Sequence, residues 1–232
     1  MGLANDIRAE VKQTFSKQWE KRDGNKVPDT DDIALGNAAV VLKGTILYAD
    51  LVESTLMVNS QQQHFAAEIY KTFLLTACKI IRDQGGTITA FDGDRVMAVY
   101  LGDNKNSAAA KSALKINWAV DKIINTELVA QYPNSDYRVK QAVGIDTSDL
   151  WVARTGIRGS NDLVWVGRAA NYAAKLCSLR TGSSVSWITK DVFDVLNKEV
   201  KYGPNEQPMW QQSYWSAYNC YVFSSSWNWS ID

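Results

Sequence analysis

The chain has no surplus of charge of either sign, no long apolar run, and few residues of the kinds that staple or ligate. Its 232 residues set 25 Lys plus Arg against 25 Asp plus Glu, so a polyanion meets no basic excess and a nucleic-acid partner is not expected. No uncharged stretch approaches the roughly 20 residues of a membrane span, so no membrane partner is expected either. The opening MGLANDIRAEVKQ lacks an apolar stretch of the signal-peptide type, and Asp6 stands where a myristoylation signal wants Ser or Thr. Cys78, Cys177 and Cys220 are far apart and show no CxxC spacing, which suits free thiols in a reducing compartment. The expected location is the cytoplasm. The single histidine, His64, lies in a polar glutamine run; with the cysteines scattered, a zinc site is out of reach.

What remains is an ordinary globular composition, 46% hydrophobic and 22% charged, long enough for one sizeable core. Residues 3–22 read as a charged helix with a stripe at Ile7, Val11 and Phe15, broken by Asp23-Gly24-Asn25 and Pro28. Residues 43–52 form an apolar run that ends in an acidic turn, as a buried strand does. Helical spacing follows from Gln61 to Gln84, and Gly85-Gly86 stops it. Thr87–Phe91 and Val96–Tyr100 flank Asp92-Gly93-Asp94-Arg95, a local hairpin signal. Next come an alanine-rich helix over 105–130 and strands over 139–147, 150–158 and 163–166. A helix over 168–178, a strand over 184–188, a helix over 190–198 and a strand over 218–223 complete the chain. The order predicts an α/β (α+β) fold, a mixed sheet with helices packed on it, in a single domain. Five of the nine tryptophans fall after residue 186, which suits a packed or dimer-covered tail.

Three segments carry chemistry. Tyr48-Ala49-Asp50-Leu51 followed by Val52-Glu53-Ser54-Thr55 places a carboxylate at a strand end beside the free amides of a turn. Carboxylate plus oriented amides can hold a divalent metal together with phosphate oxygens. An Asp in that place also serves as a helix cap or turn former. The hairpin Asp92-Gly93-Asp94 offers a second carboxylate on a neighbouring strand. Together the pair could hold two Mg²⁺ or Mn²⁺ ions roughly 4 Å apart for attack of a hydroxyl on a phosphate. In Gly167-Arg168-Ala169-Ala170-Asn171-Tyr172-Ala173-Ala174-Lys175, Asn171 and Lys175 share one helix face. An amide and a cation there suit a ribose and a negatively charged transition state, although a solvated face would look the same.

In this order, the three segments GTILYADLVEST, GGTITAFDGDRVMAVYLG and QAVGIDTSD…VGRAANYAAKL resemble the catalytic domain of class III nucleotidyl cyclases over about residues 40–190. The resemblance implies the ferredoxin-like sheet of that family, with residues 36–232 as catalytic domain and 1–35 as an N-terminal helical segment. It also implies that Asp50 and Asp94, with the Leu51 carbonyl, bind two divalent metal ions, Mn²⁺ or Mg²⁺. Val52, Glu53, Ser54 and Thr55 would cradle the β- and γ-phosphates, and Asn171 would orient the ribose. Lys175 takes the transition-state position usually held by arginine, keeping the charge but losing the bidentate fork. The family's C-terminal phosphate-binding lysine has no counterpart near Trp215. Each site would be completed across a homodimer, with the metals on one chain and Asn171 and Lys175 on the other.

The same resemblance bears on the base. Adenine-specific members carry a lysine where this chain has Ala90 and an aspartate or threonine where it has Val164; the guanine-reading Glu/Cys-type pair is missing too. Without those partners, purine recognition by hydrogen bonding is lost. The chain is thus most similar to the bacterial pyrimidine cyclases of Pycsar antiphage defence. The resemblance then implies UTP as substrate, or CTP, with cyclic UMP or cyclic CMP acting on a separate effector protein. Tyr48, Ala90, Asp92 and Val164 are the candidate base pocket. The alternatives are an adenylate or guanylate cyclase with an atypical pocket, or an inactive nucleotide-sensing module. A diguanylate cyclase is disfavoured, since no Gly-Gly-Asp/Glu-Glu-Phe hairpin occurs.

Overall fold

A computed structural model describes residues 2–179 and 183–231. Helix α1 (Leu3–Ser16) and strand β1 (Glu20–Asp23) come first, then the long strand β2 (Ala38–Leu51). Helices α2 (Ser54–Ser60) and α3 (Gln63–Asp83) lead into the hairpin of β3 (Thr87–Asp92) and β4 (Arg95–Tyr100). Helix α4 (Lys105–Ala119) widens into a π turn at Val120–Ile124 before α5 (Asn125–Gln131). Strand β5 (Gln141–Ile157) turns back into β6 (Ser160–Val166), and α6 (Arg168–Leu176) follows. Last come β7 (Ser186–Thr189), the short helices α7 (Lys190–Asp194) and α8 (Lys198–Lys201), and the hairpin of β8 (Gln211–Trp215) and β9 (Cys220–Ser225).

The chain divides into two compact units, Met1–Lys43 with Asp149–Gly167, and Gly44–Ser148 with Arg168–Asp232. In the larger unit the strands run in the order β3-β4-β2-β5-β7-β9-β8. Pairing of β5 with β7 is parallel, while β2 with β4 and β7 with β9 pair antiparallel, so the sheet is mixed as expected. One face of it carries Leu47, Ala49, Leu51, Val96, Ala98, Tyr100, Val143 and Ile145. These pack in one core with Phe65, Ile69, Phe73, Ala77 and Ile81 of α3 and with Ala109, Ala113 and Leu114 of α4. Alternation along the strands leaves the opposite face to Tyr48, Asp50, Arg95, Met97 and Gly144. The Tyr100 hydroxyl donates to Ser112 Oγ at 2.8 Å and ties β4 to α4.

In the smaller unit β1 pairs in parallel with Ala38–Val41 of β2, and β6 pairs antiparallel with the end of β5. Arg154 is bound by Asp31 at 3.2 Å, and its Nε donates to Asn161 Oδ1 at 2.7 Å. Asn37 Nδ2 donates to the carbonyls of Thr14 and Lys17 and so fixes the end of α1. No residue of α1 is buried.

Two expectations are corrected, and one strand had no counterpart among them. The first helix ends at Ser16 because Lys17 turns extended and Glu20–Asp23 finds a strand partner. The strands expected over 139–147 and 150–158 are one strand, β5, whose hairpin partner is β6, with the reversal at Gly159 in left-handed backbone. Strand β8 gives no apolar signal, since among the described strands it pairs only with β9, and all but Trp215 of it is exposed. Among the described helices none is long and apolar enough to cross a membrane.

Candidate active site

The antiparallel register of three strands builds the centre of the site. Tyr48 of β2 is opposite Met97 of β4, which is opposite Ala90 of β3, so the three lie abreast on one face. Two residues further along each strand, Asp50, Arg95 and Asp92 make a second row on that face. Arg95 Nη2 donates to Asp50 Oδ2 at 3.0 Å, and its guanidinium also stands 5.9 Å from the centroid of the Tyr48 ring. Asp50 is buried, so this ion pair balances a charge that would otherwise be costly. Burial pushes the Tyr48 phenol above its ordinary range, with Arg95 pulling it the other way.

Asp94 enters from the tight reversal between β3 and β4. Gly93 takes φ 60°, the left-handed backbone that a two-residue hairpin loop demands of its first central residue. Asp94 Oδ2 is shut away from solvent, with no hydrogen-bond partner among the described residues. A buried anionic oxygen with nothing donating to it is what a hard divalent cation would satisfy. Among the described residues no group of three or more His, Cys, Asp or Glu side chains converges. The candidate metal donors are therefore the two carboxylates and the Leu51 carbonyl, which leaves coordination positions for ligand oxygens.

Beside them lies the turn Val52–Thr55. Glu53 takes φ 60°, ψ 28°, a left-handed conformation that a non-glycine residue holds only where its surroundings enforce it. The Val52 amide donates to the Lys140 carbonyl at 2.9 Å, so one of the four residues expected to cradle phosphates has its amide already engaged. Lys140 Nζ approaches Glu53 Oε2 at 3.8 Å, which brings a cation to the turn.

Helix α6 lies on the same sheet face, against β5. A Cβ built on Gly144 would meet the Ala173 carbonyl oxygen at 2.1 Å and the Cys177 amide at 2.6 Å, so only glycine admits the helix this closely. Its first residue, Arg168, donates to Asp146 at 3.0 and 3.1 Å, to the Thr147 carbonyl at 2.9 Å and to Asp191 at 2.5 Å. Burial pushes the Asp146 carboxyl up, against the Thr189 hydroxyl and the Arg168 charge, which pull it down. Asn171 and Lys175 are both exposed on the helix. Lys175 Nζ stands 5.4 Å from the centroid of the Tyr218 ring.

Of the residues singled out in the sequence, the register thus gathers Tyr48, Asp50, Ala90 and Asp92 on one face, with Asp94 at its end. Val164 belongs to the smaller unit, where it lies on β6, pairs with Ala153 of β5 and is partly exposed. Arg95, Met97 and Lys140 were not foreseen. Arg95 directly follows the second carboxylate, and only the pairing of Ala49 with Val96 reveals that it faces the first.

No family model matches the chain. It is 47% identical over 234 residues to a protein of Xanthomonas perforans named uridylate cyclase, covering all of both chains. Over 233 residues it is 48% identical to a Burkholderia cepacia protein of the same name, again covering both in full. Among solved structures, the adenylyl cyclase CyaB of P. aeruginosa superimposes with a TM-score of 0.67 at 18% identity, over 81% of this chain and 95% of that one. With full-length identity near one half to two such enzymes, and with the fold of a solved adenylyl cyclase, the chain belongs to the class III nucleotidyl cyclases.

Proposed function

We propose that this cyclase converts UTP to 3′,5′-cyclic UMP and diphosphate. The observation that carries the reading is full-length identity to two relatives named uridylate cyclase. The site is consistent with it in chemical detail. Ala90 and Val164 bring no hydrogen-bonding group with which to read adenine. The Tyr48–Met97–Ala90 row offers an apolar seat for a small base, and Asp92 in the next row can accept a hydrogen bond from a uracil N3–H. Cytosine carries an unprotonated N3, which a carboxylate would repel.

Residues 36–232 form the catalytic domain in this reading, with 1–35 as an N-terminal segment, and the enzyme works in the cytoplasm. Asp50, Asp94 and the Leu51 carbonyl would hold two divalent ions, Mn²⁺ or Mg²⁺, which supply charge neutralisation of the triphosphate and activation of the ribose 3′-hydroxyl. The amides of 53–55 bind the β- and γ-phosphates, with Lys140 adding positive charge. Asn171 orients the ribose. The 3′-oxygen gives its proton to solvent water and attacks the α-phosphorus, the bond to the diphosphate breaks, and Lys175 balances the charge gathering on the α-phosphoryl oxygens. Asn171 and Lys175 come from the second chain of a homodimer. The product is a second messenger for antiphage defence, sensed by a separate effector protein.

Incubation with each of the four nucleoside triphosphates and Mn²⁺, with products identified by mass spectrometry, tests the reading. Cyclic UMP is expected as the main product. Cyclic AMP or cyclic GMP without a pyrimidine product overturns the assignment, and cyclic CMP alone moves it to CTP.

A further inference from the structure

We propose that Tyr218, in the turn of the C-terminal β8–β9 hairpin, is a positioning residue that holds the ammonium of Lys175 for the reaction. The inference rests on Lys175 being the transition-state cation. A lysine has a flexible four-carbon stem and a compact charge, so at a place better suited to a rigid fork it needs something to fix its tip. The hairpin supplies it. Ser216–Tyr218 is a short 3-10 turn closed by Asn219 in left-handed backbone, with Trp215 and Cys220 paired at its base. This brings the Tyr218 ring 5.4 Å from Lys175 Nζ, within cation–π range.

The ring is itself held. Trp215 packs on it at 4.3 Å between centroids and Tyr172 at 4.9 Å, and Trp215 and Tyr172 also touch edge to face at 5.5 Å. Leu176, Trp187 and Val222 complete a cluster that contains no residue of the main core. Tyr172 is three residues before Lys175 on α6, so the trio braces the helix and the lysine tip together. The Arg168 guanidinium also stands over the Tyr172 ring, 5.6 Å from its centroid. The aromatic tail thereby gains a role beyond filling space.

Steady-state kinetics on the full chain with UTP and Mn²⁺ tests the proposal through Tyr218→Leu, Tyr218→Phe, Lys175→Met and the Lys175→Met/Tyr218→Leu double variant. Tyr218→Leu is expected to lower kcat about fivefold with KM little changed, as loss of a partly exposed cation–π contact implies. Tyr218→Phe keeps the π face and should match the parent, which a role for the hydroxyl would not allow. In the Lys175→Met background Tyr218→Leu should cost nothing more, because the group it holds is gone. Equal losses from Tyr218→Leu in both backgrounds, or an unchanged kcat, overturn the positioning role. If Lys175→Met alone leaves kcat intact, the assignment of Lys175 is what fails.

Discussion

A carboxylate oxygen hidden from water without a donor costs about 1–3 kcal/mol, and Asp94 Oδ2 is such an atom. The cost is tolerated where function needs the charge. Asp94→Ala should therefore raise the melting midpoint in EDTA by about 2–4 °C for a gain near 1 kcal/mol, while product formation falls by about two orders of magnitude or more. Adding Mn²⁺ should raise the midpoint of the parent and leave that of the variant in place. A variant that melts lower in EDTA, or still cyclises, would contradict the metal assignment. Asp50 and Asp94 were legible because each follows a local signal, an apolar run that ends and a glycine turn that reverses. Arg95, Lys140 and Tyr218 were not, since their partners at 50, 53 and 175 are set by register and by hairpin placement.

At the scale of elements, a strand that ends where a helix begins leaves clear marks, and the β3–β4 hairpin and α3 were read from them. Where pairing decides, the marks vanish. Ser148 and Asp149 look like a turn, yet β5 runs straight through them, and polar β8 exists because β9 offers it an edge. The close seat of α6 on Gly144 was likewise hidden, since the glycine matters only once the helix is laid over it. The contact between β4 and α4 carries its own pH signature. Burial pushes the Tyr100 phenol well above its ordinary range, with the bond to Ser112 pulling the other way. Its folded value exceeds its unfolded value near 10, so its contribution to stability is complete below pH 10 and is lost as pH rises past that point. Denaturant midpoints measured from pH 9 to 12 should fall for the parent, and less steeply for Tyr100→Phe; parallel curves would show that another group governs the loss.

For the whole molecule, the proposed division of the site between two chains makes a sharp demand on mixtures. Asp94→Ala and Lys175→Met each spoil both sites of a homodimer by themselves. Random exchange of equal amounts places half the molecules in mixed dimers, each with one intact site, so about one quarter of the parent activity should return. No recovery after verified subunit exchange would place the entire site within one chain. The mixed sheet and the balanced composition were readable beforehand, and so was the order of the elements apart from β1, β8 and the single span of β5. The division of β2 and β5 between two compact units was not, because contact density, rather than any local signal, draws that line.

One feature of the smaller unit governs how the protein behaves in bulk. Leu3, Ile7, Val11 and Phe15 recur every fourth residue along α1 and all are exposed, Phe15 at 87%. The chain has a formal net charge of zero at pH 7, so little long-range repulsion separates one molecule from the next. The colloidal consequence is a solubility minimum near neutrality, set by short-range stickiness at that stripe. Replacing Ile7 by Lys and Val11 by Glu keeps the net charge at zero yet should raise the polyethylene glycol concentration at which the protein precipitates. An unmoved precipitation point would trace the stickiness to some other surface.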